Sequence, residues 1–249
     1  MRQRLAVAAM TAIAVTGTAC ESTFDKAARR ARAQEAAVAA TKLQITANVA
    51  VAAKVAKILT GIDGTAAVVV ELISHDATQG LLWAPIDVEL RDATGAVVAA
   101  TNVEGADPAL VHVPFVPAGG RSFYVNDLLS TTAPPTSAAV TLGGTPVTFP
   151  ATLPELEVTA KYVDDPDYGA LFEGSVTNST GVRQEQVIVQ VVARQGDEIV
   201  AAGTSIVKGL APGASQPFQG VFVGDPRGAK LTVSAPVSNI AGLKGAPPG

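Results

Sequence analysis

From residue 64 onwards, short apolar runs alternate with turn-forming residues along the chain. Some runs are continuously apolar and others alternate between apolar and polar positions with a period of two, and clusters of Gly, Pro, Asn and Asp separate the runs. This pattern predicts a mainly β protein with antiparallel strands packed as sandwiches. The first predicted set of strands is 66–73, 86–91, 97–101, 109–115, 121–126, 138–142 and 147–149. The second predicted set is 156–162, 169–178, 186–194, 199–207, 216–223 and 230–236.

The two sets of strands repeat a common pattern. The matching features, in the first and second set, are runs 86–90 and 187–191, turns at Gly95 and Gly196, runs 97–100 and 199–202, Pro117 and Pro212, and Phe123 and Phe218. Their common order indicates duplication of one structural unit. We therefore predict two tandem sandwiches, at residues 64–150 and 151–236, followed by a disordered tail at 237–249.

The segment before the strands predicts a helix. Residues 25–59 contain no Gly or Pro, and residues 27–56 include 13 alanines, which have the highest helix propensity. The competing pattern is a period-two alternation of apolar residues between Leu43 and Val51, which is typical of a strand. We expect an Ala-rich helix over 25–59, with the structure of residues 43–52 left open between helix and strand.

The N-terminus predicts export. Residues 1–4 are basic and residues 5–16 form an apolar run of signal-peptide length, so we assign 1–19 to a signal peptide. Gly17 to Cys20 resembles the lipobox of bacterial lipoproteins, in which the cysteine is acylated after cleavage. The resemblance implies that Cys20 is lipidated and that residues 20–63 combine an anchor with the basic helix. Gly17 replaces the usual Leu, so cleavage by ordinary signal peptidase remains the alternative.

Charge divides the chain into a basic and an acidic part. Residues 25–59 carry seven Lys and Arg against two acids, whereas residues 60–249 carry nine against nineteen. The basic side chains closest to Cys20 would lie within reach of anionic lipid headgroups; they are Lys26, Arg29, Arg30 and Arg32. The alternative is a solvated face of a linker helix or of a weak coiled coil. An exported chain with an acidic body is not expected to bind nucleic acid.

One family resemblance covers about 60 residues of each unit. The residues that carry it are Val176 to Thr180 after a strand, Leu210 to Gly213 before Phe218, and, in the first unit, Leu90-Arg91-Asp92 followed by Gly95. They resemble the FxLYD-type immunoglobulin-like domains of bacterial exported proteins and lipoproteins, with Arg91 in place of the family's tyrosine. Residues 192–194 of the second unit lack that motif. The resemblance implies a β-sandwich without a common activity.

Candidate chemistry is sparse. Two histidines, His75 and His112, and a single cysteine leave little material for catalysis, so we expect no enzyme activity and no cofactor. The densest polar cluster contains Asp164, Asp165 and Asp167. Calcium prefers such oxygen ligands, but Asp and Pro are also ordinary turn residues, and the spaced register of a calcium loop is missing.

Trp83 is the one candidate for a binding residue. An exposed tryptophan on a β module could stack on a sugar, although a tryptophan in a sandwich core is the commoner role. Together these features predict a non-catalytic, lipid-anchored protein of the bacterial envelope, on the periplasmic or outer-membrane face, that binds or scaffolds other envelope proteins. The alternatives are a carbohydrate- or ligand-binding module and a structural subunit of a homo-oligomeric assembly.

Overall fold

A computed structural model describes residues 45–61, 63–103, 106–107, 109–150, 153–166, 168–241 and 243, and over these ranges the chain contains only β-strands and connections. All strand pairs are antiparallel, as the sequence pattern predicts. The strands are β1 (Val51–Thr60), β2 (Thr65–Ser74), β3 (Gln79–Arg91), β4 (Val97–Ala100), β5 (His112–Val116), β6 (Arg121–Ser130), β7 (Ser137–Leu142), β8 (Val147–Thr148), β9 (Glu157–Asp165), β10 (Gly169–Thr177), β11 (Gln184–Gln195), β12 (Glu198–Leu210), β13 (Ser215–Val221), β14 (Val223–Gly224) and β15 (Lys230–Ser234).

The strands form two units whose central pairings correspond. In unit 1, β1–β8, one sheet has the order β1-β2-β6, and β4, β5, β7 and β8 all pair with β3 in the other. In unit 2, β9–β15, the corresponding sheets are β9-β10-β13 and β14-β12-β11-β15. The β3-β4 and β11-β12 hairpins turn at Gly95 and Gly196, both with positive φ. The repeated sequence pattern therefore corresponds to equivalent strand pairings.

The helix predicted over residues 25–59 is wrong where the structure describes it. Residues 51–60 form β1, which pairs with β2 along its length, and residues 45–50 are neither helix nor strand. Val51, Ala53 and Val55 face the core of unit 1, and an irregularity between Val55 and Lys57 returns Ile58 to the same side. Pairing with β2 overrides the helix propensity of alanine. The rest of the predicted helix lies outside the described residues, as do Cys20 and the basic residues that follow it.

Each unit has its own apolar core between its two sheets. In unit 1, alternate residues of β2 pack against β3 and β6. In unit 2, the Phe172 ring is fully buried and lies 5.0 Å from the Phe222 ring in an edge-on arrangement. Glycines make room for this ring: a Cβ on Gly220 would lie 2.2 Å from Phe172 Cζ, and one on Gly203 would lie 2.6 Å from Cε1. A few aromatic rings therefore fill the core of a chain rich in small residues.

The C-terminal segment is ordered further than the sequence predicts. The tail predicted to begin at residue 237 is wrong for its first residues, because Val237, Ser238 and Ile240 are buried. Val237 and Ile240 pack on the core of unit 2, and the fully buried Gln184 side chain binds the backbone around them. We call residues 236–240 the C-terminal strap.

Substituting Gly220 by Ala should destabilise the chain by about 3 kcal/mol, because a buried aromatic ring occupies the space that the new methyl group needs. Gly181→Ala is the matched control, since nothing lies within 4 Å of its Cβ position and its φ is not positive. Urea denaturation of both variants measures the effect. Equal stability of the two variants would contradict the packing described for Phe172.

Candidate functional site

The two units pack against each other through an apolar interface, which we call the joint, and β2 lies at its centre. Ala66, Val68 and Val70 of β2 face the core of unit 1, whereas Ala67 and Val69 face unit 2. All five side chains are at most 1% exposed. Strands with one solvated face alternate apolar and polar residues, so a continuous apolar strand indicates burial on both faces. The outer face of one sheet of unit 1 is therefore the surface on which unit 2 packs.

The centre of the joint is formed by buried apolar side chains. Its buried members are Leu59, Ala67, Val69 and Val125 from unit 1 and Val192, Ile199, Ala202 and Val223 from unit 2. A second patch joins Trp83, Ala109 and Leu110 of unit 1 to Ile188 of unit 2. Burying a valine, leucine or isoleucine side chain contributes about 1.5–3 kcal/mol relative to leaving it exposed. Separating the units would return these side chains to water.

Hydrogen bonds cross the joint. Gln190 of β11 is 1% exposed, and its Oε1 accepts a hydrogen bond from the Val125 backbone N–H of β6 at 3.0 Å. The Thr204 hydroxyl of β12 donates to the fully buried Asp127 carboxylate of β6. Buried polar groups cost free energy unless they are paired, so these contacts fix how unit 2 sits on unit 1.

A buried polar cluster surrounds the same part of β6. The Tyr124 hydroxyl donates to the Leu110 carbonyl, and Asn126 Nδ2 donates to the Tyr124 hydroxyl at 3.2 Å. Burial raises the pKa of Tyr124 above its ordinary value, and the nearby negative charges of Asp87 and Asp127 raise it further. The cluster holds the β4–β5 connection against β6, next to the joint.

The C-terminal strap forms another hydrogen bond between the units. Trp83 Nε1 of unit 1 donates to the Ser238 carbonyl at 2.7 Å. Gln184 Oε1 accepts from the Ser238 and Asn239 backbone N–H groups, each at 2.9 Å, and its Nε2 donates to the Asn239 carbonyl. Trp83 has a φ of 50°, which is rare for a residue other than glycine. Its burial and its hydrogen bond hold that conformation.

An open cleft lies where the two units diverge, at the tip of the β11-β12 hairpin. This inter-unit cleft has a volume of about 530 Å3. Its floor and rim include Lys54, Val55, Lys57, Val69, Glu71, Arg121, Phe123, Arg194, Asp197, Glu198 and Ile199. An ion pair of 2.8 Å between Lys57 and Glu198 bridges the units across it, and hydrogen bonding to Lys57 lowers the pKa of Glu198. A charged rim above an apolar floor is an arrangement that can bind a ligand.

The structure places Trp83 in the joint and away from solvent. Its side chain is 8% exposed and its ring meets His112 edge-on, with ring centroids 6.0 Å apart. A sugar could not stack on it in this position. The alternative of a carbohydrate-binding module therefore has no support from this residue.

The acidic cluster lies at the turn of the β9-β10 hairpin. Asp164 and Asp165 are consecutive residues of β9, so their side chains point to opposite faces of the strand. Asp165 Oδ1 accepts a hydrogen bond from the Tyr168 backbone N–H at 3.0 Å. Asp167 lies outside the described residues. Within the part of the chain that the structure describes, no three His, Cys, Asp or Glu side chains form a group that could hold a metal ion.

Sequence reasoning missed the joint and the cleft for different reasons. The continuous apolar runs at 66–70 and 187–193, the second interrupted by Gln190, are a local signal for strands buried on both faces. The cleft has no comparable signal, because its charged residues come from five separate strands and one turn. Among the described residues, no helix is long and apolar enough to cross a membrane.

Comparison with known proteins identifies no relative. No protein-family model matches the chain, and no curated protein matches it. The immunoglobulin-like resemblance seen in the sequence therefore stays a prediction.

The burial of Tyr124 predicts sensitivity to alkali. Because its pKa is raised in the folded state, the stability it provides is complete below its ordinary pKa of 10.0 and is lost as the pH rises above that value. We expect the free energy of unfolding to fall less steeply above pH 10.0 in Tyr124→Phe than in the wild type. The lost hydroxyl should also cost about 1 kcal/mol at neutral pH.

Chemical denaturation as a function of pH measures both effects of this substitution. Tyr168→Phe is the control, because Tyr168 is 51% exposed. If the free energy of unfolding depends on pH in Tyr124→Phe just as it does in the wild type, this hydroxyl is not the titrating group.

Proposed function

We propose that this chain is a non-catalytic, lipid-anchored protein of the bacterial cell envelope that binds or holds other envelope proteins. The observation that supports the proposal best is the joint, which combines two β units into one body and leaves a charged cleft between them. An interaction protein needs a surface of fixed shape, and a rigid joint provides one. Unit 2 cannot slide on unit 1 without breaking the hydrogen bonds that join β11 and β12 to β6, at Gln190 and at Asp127.

We also propose that the two units are immunoglobulin-like sandwiches related by duplication. Their sheets have corresponding orders, and their equivalent hairpins carry the repeated sequence features. The FxLYD-type resemblance agrees with this assignment. Domains of this class are recognition modules whose function resides in their surfaces and not in a shared catalytic site.

The lipid anchor is the second part of the proposal. Cys20 follows an apolar run of signal-peptide length, and Lys26, Arg29, Arg30 and Arg32 come directly after it. The described chain enters unit 1 along a fixed path, because Asn48 donates from its backbone to the Leu142 carbonyl at 2.7 Å and from Nδ2 to the Gly144 carbonyl at 2.9 Å. An anchor at Cys20 would therefore tether a body whose first strand is firmly attached.

Expression in a bacterial host with a radiolabelled fatty acid tests the anchor. We expect the wild type to incorporate label and to partition into the detergent phase, because acyl chains on Cys20 supply about 0.8 kcal/mol per buried methylene. Cys20→Ala should lose both properties. Gly17→Leu restores the residue usual at that position and should increase the labelled fraction. An unlabelled wild type in the aqueous phase would contradict lipidation.

Cross-linking in intact cells tests the interaction role separately. We expect the wild type to give a discrete cross-linked species with another envelope protein. Species that contain only copies of this chain would favour the homo-oligomeric alternative over binding of a different partner. Absence of any cross-linked species under conditions that trap known envelope complexes would contradict the interaction role.

A further inference from the structure

Two cations of the inter-unit cleft form no ion pair with any carboxylate of the described residues. Within the described residues, Lys57 pairs with Glu198 and Arg121 pairs with Glu71, whereas neither Lys54 nor Arg194 takes part in an ion pair. Both of these side chains are exposed. Arg194 Nη1 donates one hydrogen bond, to the Asp197 backbone carbonyl at 3.1 Å, which leaves its other N–H groups for a ligand.

A like-charge pair beside the cleft strengthens the positive potential. Arg194 of β11 lies directly opposite Lys230 of β15 in the sheet, and Lys230 is also exposed and takes part in no ion pair in the described part of the chain. Like charges at directly opposite positions destabilise a sheet. A bound anion would relieve that repulsion. The cleft lining carries four Lys and Arg against three Asp and Glu, whereas residues 45–249 as a whole carry eleven Lys and Arg against nineteen Asp and Glu.

The shape of the cleft determines which kind of anion fits. Its floor is apolar, formed by Val69, Ile199 and the half-buried Phe123. Its rim includes the acids Asp197 and Glu198, which would repel a flat anionic bilayer. A narrow ligand that carries separated carboxylates and apolar side chains could contact the cations and the floor together. An extended acidic peptide has these properties, because its successive side chains point in opposite directions.

We propose that the inter-unit cleft binds an extended acidic segment of a partner protein, with its carboxylates at Lys54 and Arg194 and an apolar side chain on Phe123. This assignment rests on the proposed role as an envelope interaction protein and names the surface and the chemistry of the partner. Arg194 offers paired N–H donors to a carboxylate, and Lys54 acts from the opposite wall as a point charge.

Binding of a labelled, end-blocked peptide of alternating glutamate and valine to the full chain in detergent micelles tests the proposal. The comparison peptides replace glutamate by glutamine or by lysine. We expect measurable binding of the glutamate peptide alone, and weaker binding as salt is added. Lys54→Gln combined with Arg194→Gln should weaken it about tenfold, the effect of two exposed ion pairs. Asp197→Asn should tighten it, which a purely structural role for this loop would not produce.

The control is Lys161→Gln combined with Lys208→Gln, which removes two exposed charges of unit 2 outside the cleft. Its affinity should equal that of the wild type, and thermal unfolding should show that every variant stays folded at the temperature of the binding assay. Equal binding of the glutamate and glutamine peptides, or full affinity in the cleft variant, would overturn the proposal. Binding to anionic phospholipid vesicles that is lost in the cleft variant, without peptide binding, would also overturn it. If the peptide does not bind but cross-linking in cells succeeds, the chain still interacts with other envelope proteins, and it does so through another surface.

Discussion

The burial of β2 on both faces is the constraint on which the rest of the structure depends. A strand that is apolar on both faces needs a sheet packed on each side, and unit 1 alone supplies only one. Unit 2 supplies the other through β11 and β12, which are themselves buried over most of their length. The two units are therefore not independently packed domains joined only by a linker. Each unit buries apolar side chains of the other, and together they form a body of fixed shape.

This packing also explains where polar groups occur. Backbone and side-chain polar atoms that enter the joint lose water, so each must find a protein partner. Gln190 pairs with the Val125 backbone, Thr204 pairs with Asp127, and the Trp83 indole pairs with the strap. At the tip of the β11-β12 hairpin the units diverge, and the side chains between them are charged and face an open cleft. The cleft and the joint are thus two ends of one interface between units.

Much of the fold could be predicted from the sequence, and the exceptions have physical reasons. The alternating runs predict most strands of both units, including the β11-β12 hairpin with its turn at Gly196. Strand β1 was missed because alanine favours a helix locally, while pairing with β2 decides the outcome. The strap was missed because its order comes from Gln184, more than fifty residues earlier. Trp83 is buried, but it lies in the joint and not in a sandwich core as the sequence favoured, and its hydrogen-bond partner at Ser238 comes from the other unit. The cleft required the relative placement of five strands, which no local pattern encodes.

The central claim is that the two units unfold as one body because they share the joint. Native-state hydrogen exchange of the whole chain, measured with and without the substitution Gln190→Ala, tests this most directly. The substitution leaves the Val125 N–H buried without its partner, at a cost of about 1–3 kcal/mol. Amides of β2 and of β11 should then lose protection by the same amount and exchange through a common opening. Loss of protection in one unit, with the other still exchanging at its original free energy, would contradict the account.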